Sequence, residues 1–449
     1  MKSSAFFRCA LLAIVAVSFA IVSDASAVSR SCGANAVANT TNVLCASGTC
    51  TAALVQVTTA IEVTGSGCDF DLGGRALSME RNFQMNGAGF IRVFNAGNIT
   101  VTSTGRLQAR GDFVLQNGSI VTGGLISLTS TGVISIDGKL DVTGDSAGTV
   151  RLIAAGSVTL QPGSEVKGSG ISSFPDLGML FTDGGDLDLV SNAGNVTIAG
   201  DVTLGGSNQG TGGLVDVTAA GNLSVTRSVD LSGGGGDGGE FSALVGDNII
   251  ITGNIICDST VGGGYGGLID LTAGEDSLEG PNVTDGGSVD INGASLLLRG
   301  SYSDQLSGDG GELDILALGN IVFRGAGVVV RLDAGTNFDG SGGAINLDSG
   351  DANFFRLGPL DGNIEIGGIV SMRSSNAGGD GGAFDVSAGR ALTITADITA
   401  TGFYAGGDIA GTAGTKITLN GLITADSNNT LGDGGFIDFE AGTASDAAS

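Results

Sequence analysis

The chain has no histidine, no tryptophan and only four prolines in 449 residues, and its 19 basic residues face 46 acidic ones. Each scarcity removes a class of function. Without histidine there is no imidazole base, no Ser-His or Cys-His couple, and no histidine-bearing zinc site. A formal charge of −27 makes nucleic acid and anionic membrane surfaces poor partners, since both are held by basic patches. With no Trp and three Tyr, aromatic platforms for stacking sugar rings are few. Helix-periodic segments are nearly absent past the first residues, and no later segment is apolar enough to span a bilayer, so no transmembrane span is expected in the mature chain.

Glycine is what the chain has in abundance, 82 residues, spaced too irregularly for a collagen repeat. Hydrophobic residues make up 41% of the chain and fall in alternating patterns, which points to a folded protein despite the acidity. One phrase recurs: Asp183-Gly-Gly-Asp-Leu-Asp-Leu, Asp285-Gly-Gly-Ser-Val-Asp-Ile, Asp309-Gly-Gly-Glu-Leu-Asp-Ile, Asp380-Gly-Gly-Ala-Phe-Asp-Val and Asp433-Gly-Gly-Phe-Ile-Asp-Phe. Between copies runs a second frame of two apolar pairs separated by three small or polar residues: Ile134, Ile136, Leu140, Val142; Val196, Ile198, Val202, Leu204; Leu223, Val225, Val229, Leu231; Ile249, Ile251, Ile255, Cys257; and Leu392, Ile394, Ile398, Ala400. Each pair reads as a short strand with alternate residues turned inward, and the strand after Gly-Gly makes three per unit.

Gly-Gly anchors from Gly184 to Gly434 lie 20 to 39 residues apart, a period typical of a solenoid. The predicted fold is all-β: a right-handed parallel β-helix with three short strands per coil, handed by the crossover rule and roughly 70 Å long. The longest intervals, around Ile171 to Leu180 and Phe354 to Gly362, are predicted to be loops leaving the coil wall.

Residues 1–27 read as a secretion signal, with Lys2 and Arg8 before an apolar run and Ala25-Ser26-Ala27 before Val28. Its loss takes two of the 19 basic residues and one of the 46 acidic ones, leaving 17 − 45 = −28. Residues 28–70 lack the repeat and carry Cys32, Cys45, Cys50 and Cys68, so they are expected to form an N-terminal cap stapled by two disulfides. Three pairings are possible; Cys45 with Cys50 and Cys32 with Cys68 is preferred. Zinc is the rival, but no Cys-x-x-Cys pair exists. Residues 71–440 are assigned to the β-helix and 441–449 to a short tail, the end of a chain that could continue into a longer product. Cys257 aligns with Leu204 and Leu231 and is read as a core residue.

The acidic residues of the phrase raise the question of chemistry. The middle Asp of each strand should point outward: Asp188, Asp216, Asp270, Asp290, Asp314, Asp385 and Asp438, with Ser242 and Asn346 at two positions. Stacked in register they would repel one another unless neutralised. Together with the turn residues Asp183, Asp285, Asp309, Asp380 and Asp433, they form a candidate calcium ladder of clustered oxygen ligands. The competing reading is an acidic face that keeps the rod soluble. No other cofactor is indicated. Tyr265 and Tyr404, with Phe403, precede Gly-Gly anchors and are expected to share one edge, packed against neighbouring turns. Asn-x-Ser/Thr sequons at Asn98, Asn117, Asn195, Asn222 and Asn282 fall mostly at repeat corners.

The units Gly97-Asn98-Ile99-Thr100-Val101, Ala193-Gly194-Asn195-Val196-Thr197-Ile198 and Ala220-Gly221-Asn222-Leu223-Ser224-Val225 resemble the repeats of filamentous haemagglutinin-type bacterial surface adhesins. The Asn-Pro-Asn motif of that family's secretion domain has no counterpart, so the resemblance is to the repeats alone. It implies a secreted or cell-surface structural or adhesive rod that presents loops and an acidic face to an extracellular protein or polysaccharide, or associates end to end. The alternative is a carbohydrate-active β-helix enzyme, a polysaccharide lyase or hydrolase. Such an enzyme should bring carboxylates and a basic residue together in one groove. No catalytic motif of either type is visible.

Overall fold

A computed structural model describes residues 28–32, 41–65, 67–86, 89–111, 122–170, 181–274, 287–303, 306–325, 327–336, 339–350 and 362–442. Among them, three long sheets run side by side and the chain visits them in rotation. The first sheet, fourteen strands, runs from Val28–Cys32 to Ile423–Thr424. The second, also fourteen strands, runs from Gly48–Cys50 to Lys416–Leu419, and the third, thirteen strands, from Cys68–Asp71 to Phe436–Ala441. This is a parallel β-helix with three strands per coil. Fourteen strands at about 4.8 Å spacing make a stack about 62 Å from first to last.

The rotation follows from side-chain period. Ile134 and Ile136 pair with Val158 and Leu160, which pair with Val196 and Ile198, then with Leu223 and Val225, all fully buried. Leu140, Val166, Val202 and Val229 make the equivalent column of the first sheet, again buried. Cys257 sits in the core as expected, and burial pushes its thiol well above the usual range, so it behaves as a small apolar side chain. Phe70 meets Phe83 edge-on at 5.1 Å in the first coils.

The N-terminal end is closed by the helix Thr41–Ala46 and by Gly48–Cys50, which pairs antiparallel with Leu54–Val57, in contrast to the parallel pairing of the coils. Cys45 and Cys50 are joined. Cys68 is disulfide-bonded too, while the side chain of Cys32, its expected partner, lies outside the described set. Coil pairing reaches further back than the sequence reading placed it. Val28–Cys32 already pairs parallel with Ile61–Gly65, and Leu54–Val57 with Ala76–Met79, so cap and coils interleave.

The Gly-Gly corner lies between a first-sheet strand and the following third-sheet strand. Its second glycine donates back to the first-sheet side: Gly239 to Leu231 O at 2.8 Å, Gly267 to Cys257 O at 2.7 Å, Gly311 to Leu298 O at 2.7 Å. The first glycine faces the next coil so closely that a Cβ on Gly238 would lie 1.8 Å from Cys257 O. Gly434 of the last described coil meets nothing within 4 Å. Gly238→Ala is therefore expected to destabilise the protein by about 2–4 kcal/mol, whereas Gly434→Ala leaves the thermal midpoint unchanged. Equal midpoints for the two variants would contradict this account of the corner.

Candidate functional site

The candidate site is built from residues the corner forces into columns. Along the outward centre of the third sheet the register runs Arg151, Asp188, Asp216, Ser242, Asp270, Asp314, Asn346, Asp385, Ala410, Asp438. Six of the seven outward aspartates stand where the sequence reading put them. The seventh does not: Asp290 lies on the second sheet, opposite Ile250 and Val322, and its carboxylate takes two hydrogen bonds from Arg324. The reason is length. The third-sheet strand of that unit is Leu268–Ala273, and residues 275–286, which hold Asp285 and Gly286, are outside the described set. The chain re-enters at the next corner, so this copy of the phrase falls one sheet late.

The carboxylate ladder is thus two pairs, Asp188 with Asp216 and Asp270 with Asp314, separated by Ser242 and flanked by Arg151 at one end and Asn346 at the other. Arg151 Nε donates to Asp188, and Asn346 Nδ2 donates to Asp314 at 2.6 Å. Burial, and then Asp188, raise the Asp216 carboxyl against the opposing pull of Arg151. Burial, and then Asp314, raise Asp270 and Glu312, and burial raises Asp186.

The turn aspartates accept backbone hydrogen bonds from the next coil. Asp183 Oδ1 accepts the Thr211 N–H at 3.0 Å, Asp309 Oδ1 the Ser341 N–H at 2.8 Å, and Asp380 Oδ1 the Ala405 N–H at 3.1 Å. Asp237, in a copy of the phrase whose middle position is Ser242, does the same for Tyr265 at 2.9 Å. Each caps a backbone donor of the next coil, much as an Asx residue caps a helix. Asp433 belongs to the last described coil and has no later coil to cap there. Among the described residues no three acidic or cysteine side chains gather as a metal site.

The sequence reading missed a second ladder. Asn195 Oδ1 accepts the Asn222 N–H at 2.8 Å, Asn222 the Asn248 N–H at 3.1 Å, Asn248 the Ser288 N–H at 3.0 Å, and Asn320 the Asn363 N–H at 2.9 Å. The signal was the Asn before each Φ-x-Φ pair, read only as a sequon at Asn195 and Asn222. Asn117 and Asn282 lie outside the described residues.

Beside the turn aspartates the stacked glycines floor a groove of about 880 Å³ that runs across several coils. Its lining includes the acidic residues Asp183, Asp186, Glu240, Asp309 and Glu312 and no lysine or arginine. The corners next to it hold all three tyrosines of the chain: Tyr265 before Leu268–Ala273, Tyr302 before Glu312–Ala317, and Tyr404 before Asp408–Ala413. They are 54%, 51% and 51% exposed, so Tyr265 and Tyr404 do not pack away as expected, and Phe403 meets Tyr404 edge-on at 5.2 Å. Val261 and Leu306 are exposed in the same corners as Tyr265 and Tyr302.

Neither a family model, nor a curated protein, nor a solved structure matches this chain. Function must be read from the geometry alone.

Two outcomes follow for the acidic face. A carboxyl raised in the folded state costs stability above its folded pKa, and that cost is relieved as pH falls through that value. Thermal midpoints are therefore expected to rise as pH falls from neutral toward the carboxylate range, and to rise less in Asp270→Asn, where one cross-strand repulsion is gone. A variant that gains as much as the parent would refute the electrostatic assignment. Because the turn carboxylates hold backbone donors, a chelator is expected to leave the midpoint of the calcium-exposed protein unchanged; a drop of several degrees would restore the calcium ladder.

Proposed function

We propose that this protein is a non-enzymatic structural or adhesive β-solenoid, secreted or held at a cell surface, which presents corner loops and an acidic face to extracellular partners. Its repeats resemble those of haemagglutinin-type surface adhesins, in keeping with that role. The observation that carries the reading is the exposure of all three tyrosines, each in a corner that leads into a third-sheet strand. Folding does not require it. An exposed phenol ring supplies a flat apolar surface and one hydroxyl, which suits stacking against a sugar or seating on a protein partner. The preferred partner is an extracellular polysaccharide, because the groove is long, shallow and lined by acceptors that match hydroxyl donors.

The enzyme reading expects carboxylates and a basic residue in one groove. The groove has carboxylates without a lysine or arginine. On the first sheet Asp141 and Glu165 do meet basic residues, yet Asp141 is committed to Arg110 and Glu165 to Lys139, which leaves neither as a free acid or base.

Binding of the whole protein to immobilised neutral polysaccharides tests the proposal. The triple variant Tyr265→Ala, Tyr302→Ala, Tyr404→Ala should keep the β-sheet signal in circular dichroism and lose at least about tenfold in affinity, three stacked rings being worth more than the 1.4 kcal/mol this represents. Undiminished binding by the variant, or release of new chain ends from the polysaccharide, would sink it.

A further inference from the structure

Elsewhere on this acidic rod the ion pairs among the described residues are one to one: Arg92 with Asp69, Arg151 with Asp188, Arg299 with Asp258 and Arg324 with Asp290. One place departs from that pattern. On the outward face of the first sheet, the strands Arg106–Arg110, Lys139–Asp141 and Glu165–Lys167 lie side by side and enclose a pocket of about 250 Å³. Four cations line it, Arg106, Arg110, Lys139 and Lys167, against two carboxylates, Asp141 and Glu165.

The two carboxylates are spoken for. Asp141 is 2% exposed; its Oδ2 accepts from Arg110 Nε at 2.8 Å and from Arg110 Nη2, while its Oδ1 accepts the Thr143 hydroxyl at 2.7 Å. Burial alone would raise the Asp141 carboxyl, but the hydrogen bonds from Arg110 and Thr143 and the Arg110 charge outweigh it and hold Asp141 ionised. Glu165 pairs with Lys139. Two cations remain. Arg106 reaches Asp141 only at 3.5 Å, and its Nε is buried with no hydrogen-bond partner. Lys167 forms no ion pair among the described residues. Register places Arg106 and Lys167 two strands apart and two residues out of step, about 12 Å, on either side of the Lys139–Asp141 strand. Side chains of their length can close that gap around one small anion. A buried guanidinium N–H without an acceptor is costly, and an oxyanion is the group that best relieves it.

We infer that this pocket binds a single oxoanion group, a carboxylate or sulfate, held between Arg106 and Lys167, with Arg110 and Asp141 as the fixed support beneath. The chemistry is shared by a uronate or sulfated sugar unit of a glycan and by free inorganic sulfate. Since the net charge of −27 repels anions in general, saturable binding reports this local site and not diffuse attraction.

Isothermal titration of the full chain with sodium sulfate and with an oligogalacturonate tests it. Both anions are expected to bind saturably, and Arg106→Gln or Lys167→Gln to weaken each at least tenfold. Arg331→Gln, on the same sheet outside the pocket, should have no effect. Lys167→Arg, which keeps the charge on an outward side chain, should retain binding even if Arg106→Gln perturbs the fold. Tenfold tighter oligogalacturonate than sulfate identifies the glycan as source; equal affinity identifies the free anion. Absence of saturable binding for both anions, or parental affinity in the Arg106→Gln, Lys167→Gln double variant, overturns the assignment.

Discussion

Everything in this rod depends on how closely two backbones approach at the Gly-Gly corner. The carbonyl that receives the second glycine's N–H within one coil, Cys257 O from Gly267 at 2.7 Å, is the one a Cβ on Gly238 of the preceding coil would strike at 1.8 Å. The same oxygen therefore closes its own coil and sets the distance to its neighbour. Leu231, Leu298, Leu332, Met372 and Ala400 repeat the arrangement. A side chain at that point would force coils apart, and parallel strand pairing has no slack to absorb it, because strand spacing is set by the hydrogen bonds.

Once the corner is locked, the outward rows follow, including unfavourable ones. In-register stacking places like residues over like residues, and an aspartate row is the worst case. The row is broken up by substitution: Ser242 separates the two carboxylate pairs, Asn346 donates to Asp314, Ala410 removes the charge near the end, and Arg151 closes the beginning. The turn row is handled differently. Asp183, Asp237, Asp309 and Asp380 recur at the same corner on alternate coils, and each spends its carboxylate on a backbone donor of the next coil. The turn aspartates thus form a capping ladder, and the asparagine column before the second-sheet strands does the same with neutral side chains.

The inward half of this arrangement was legible from residue spacing alone. Val196, Ile198, Val202 and Leu204 announce two strands and a corner, and all are buried. What spacing could not resolve was which sheet a strand joins after a long insertion. Asp290 carries the same local phrase as Asp314, yet only strand pairing shows that it lands beside Ile250. Nor could spacing reveal the task of Asp183, because its partner, Thr211 N–H, lies 28 residues away and its sequence environment is that of any turn. The basic pocket escaped for the same reason. Arg106, Lys139 and Lys167 are scattered singly along the chain and become neighbours only through coil pairing.

The coil wall and the corners therefore answer to different constraints. A residue on the wall is judged by its fit to the rows above and below, so its identity says little about ligands. A residue in a long corner makes few such contacts, and Tyr265, Tyr302 and Tyr404 could be any polar side chain without disturbing a strand. Exposing an aromatic ring there gains nothing for folding and adds a liability to association. Three of three tyrosines exposed in corners before third-sheet strands, in a chain with no tryptophan to share the role, is a pattern that coil geometry does not impose. The pocket at Arg106 and Lys167 departs from the wall's logic in the same sense: it gathers four cations around two carboxylates on a rod where acids outnumber bases.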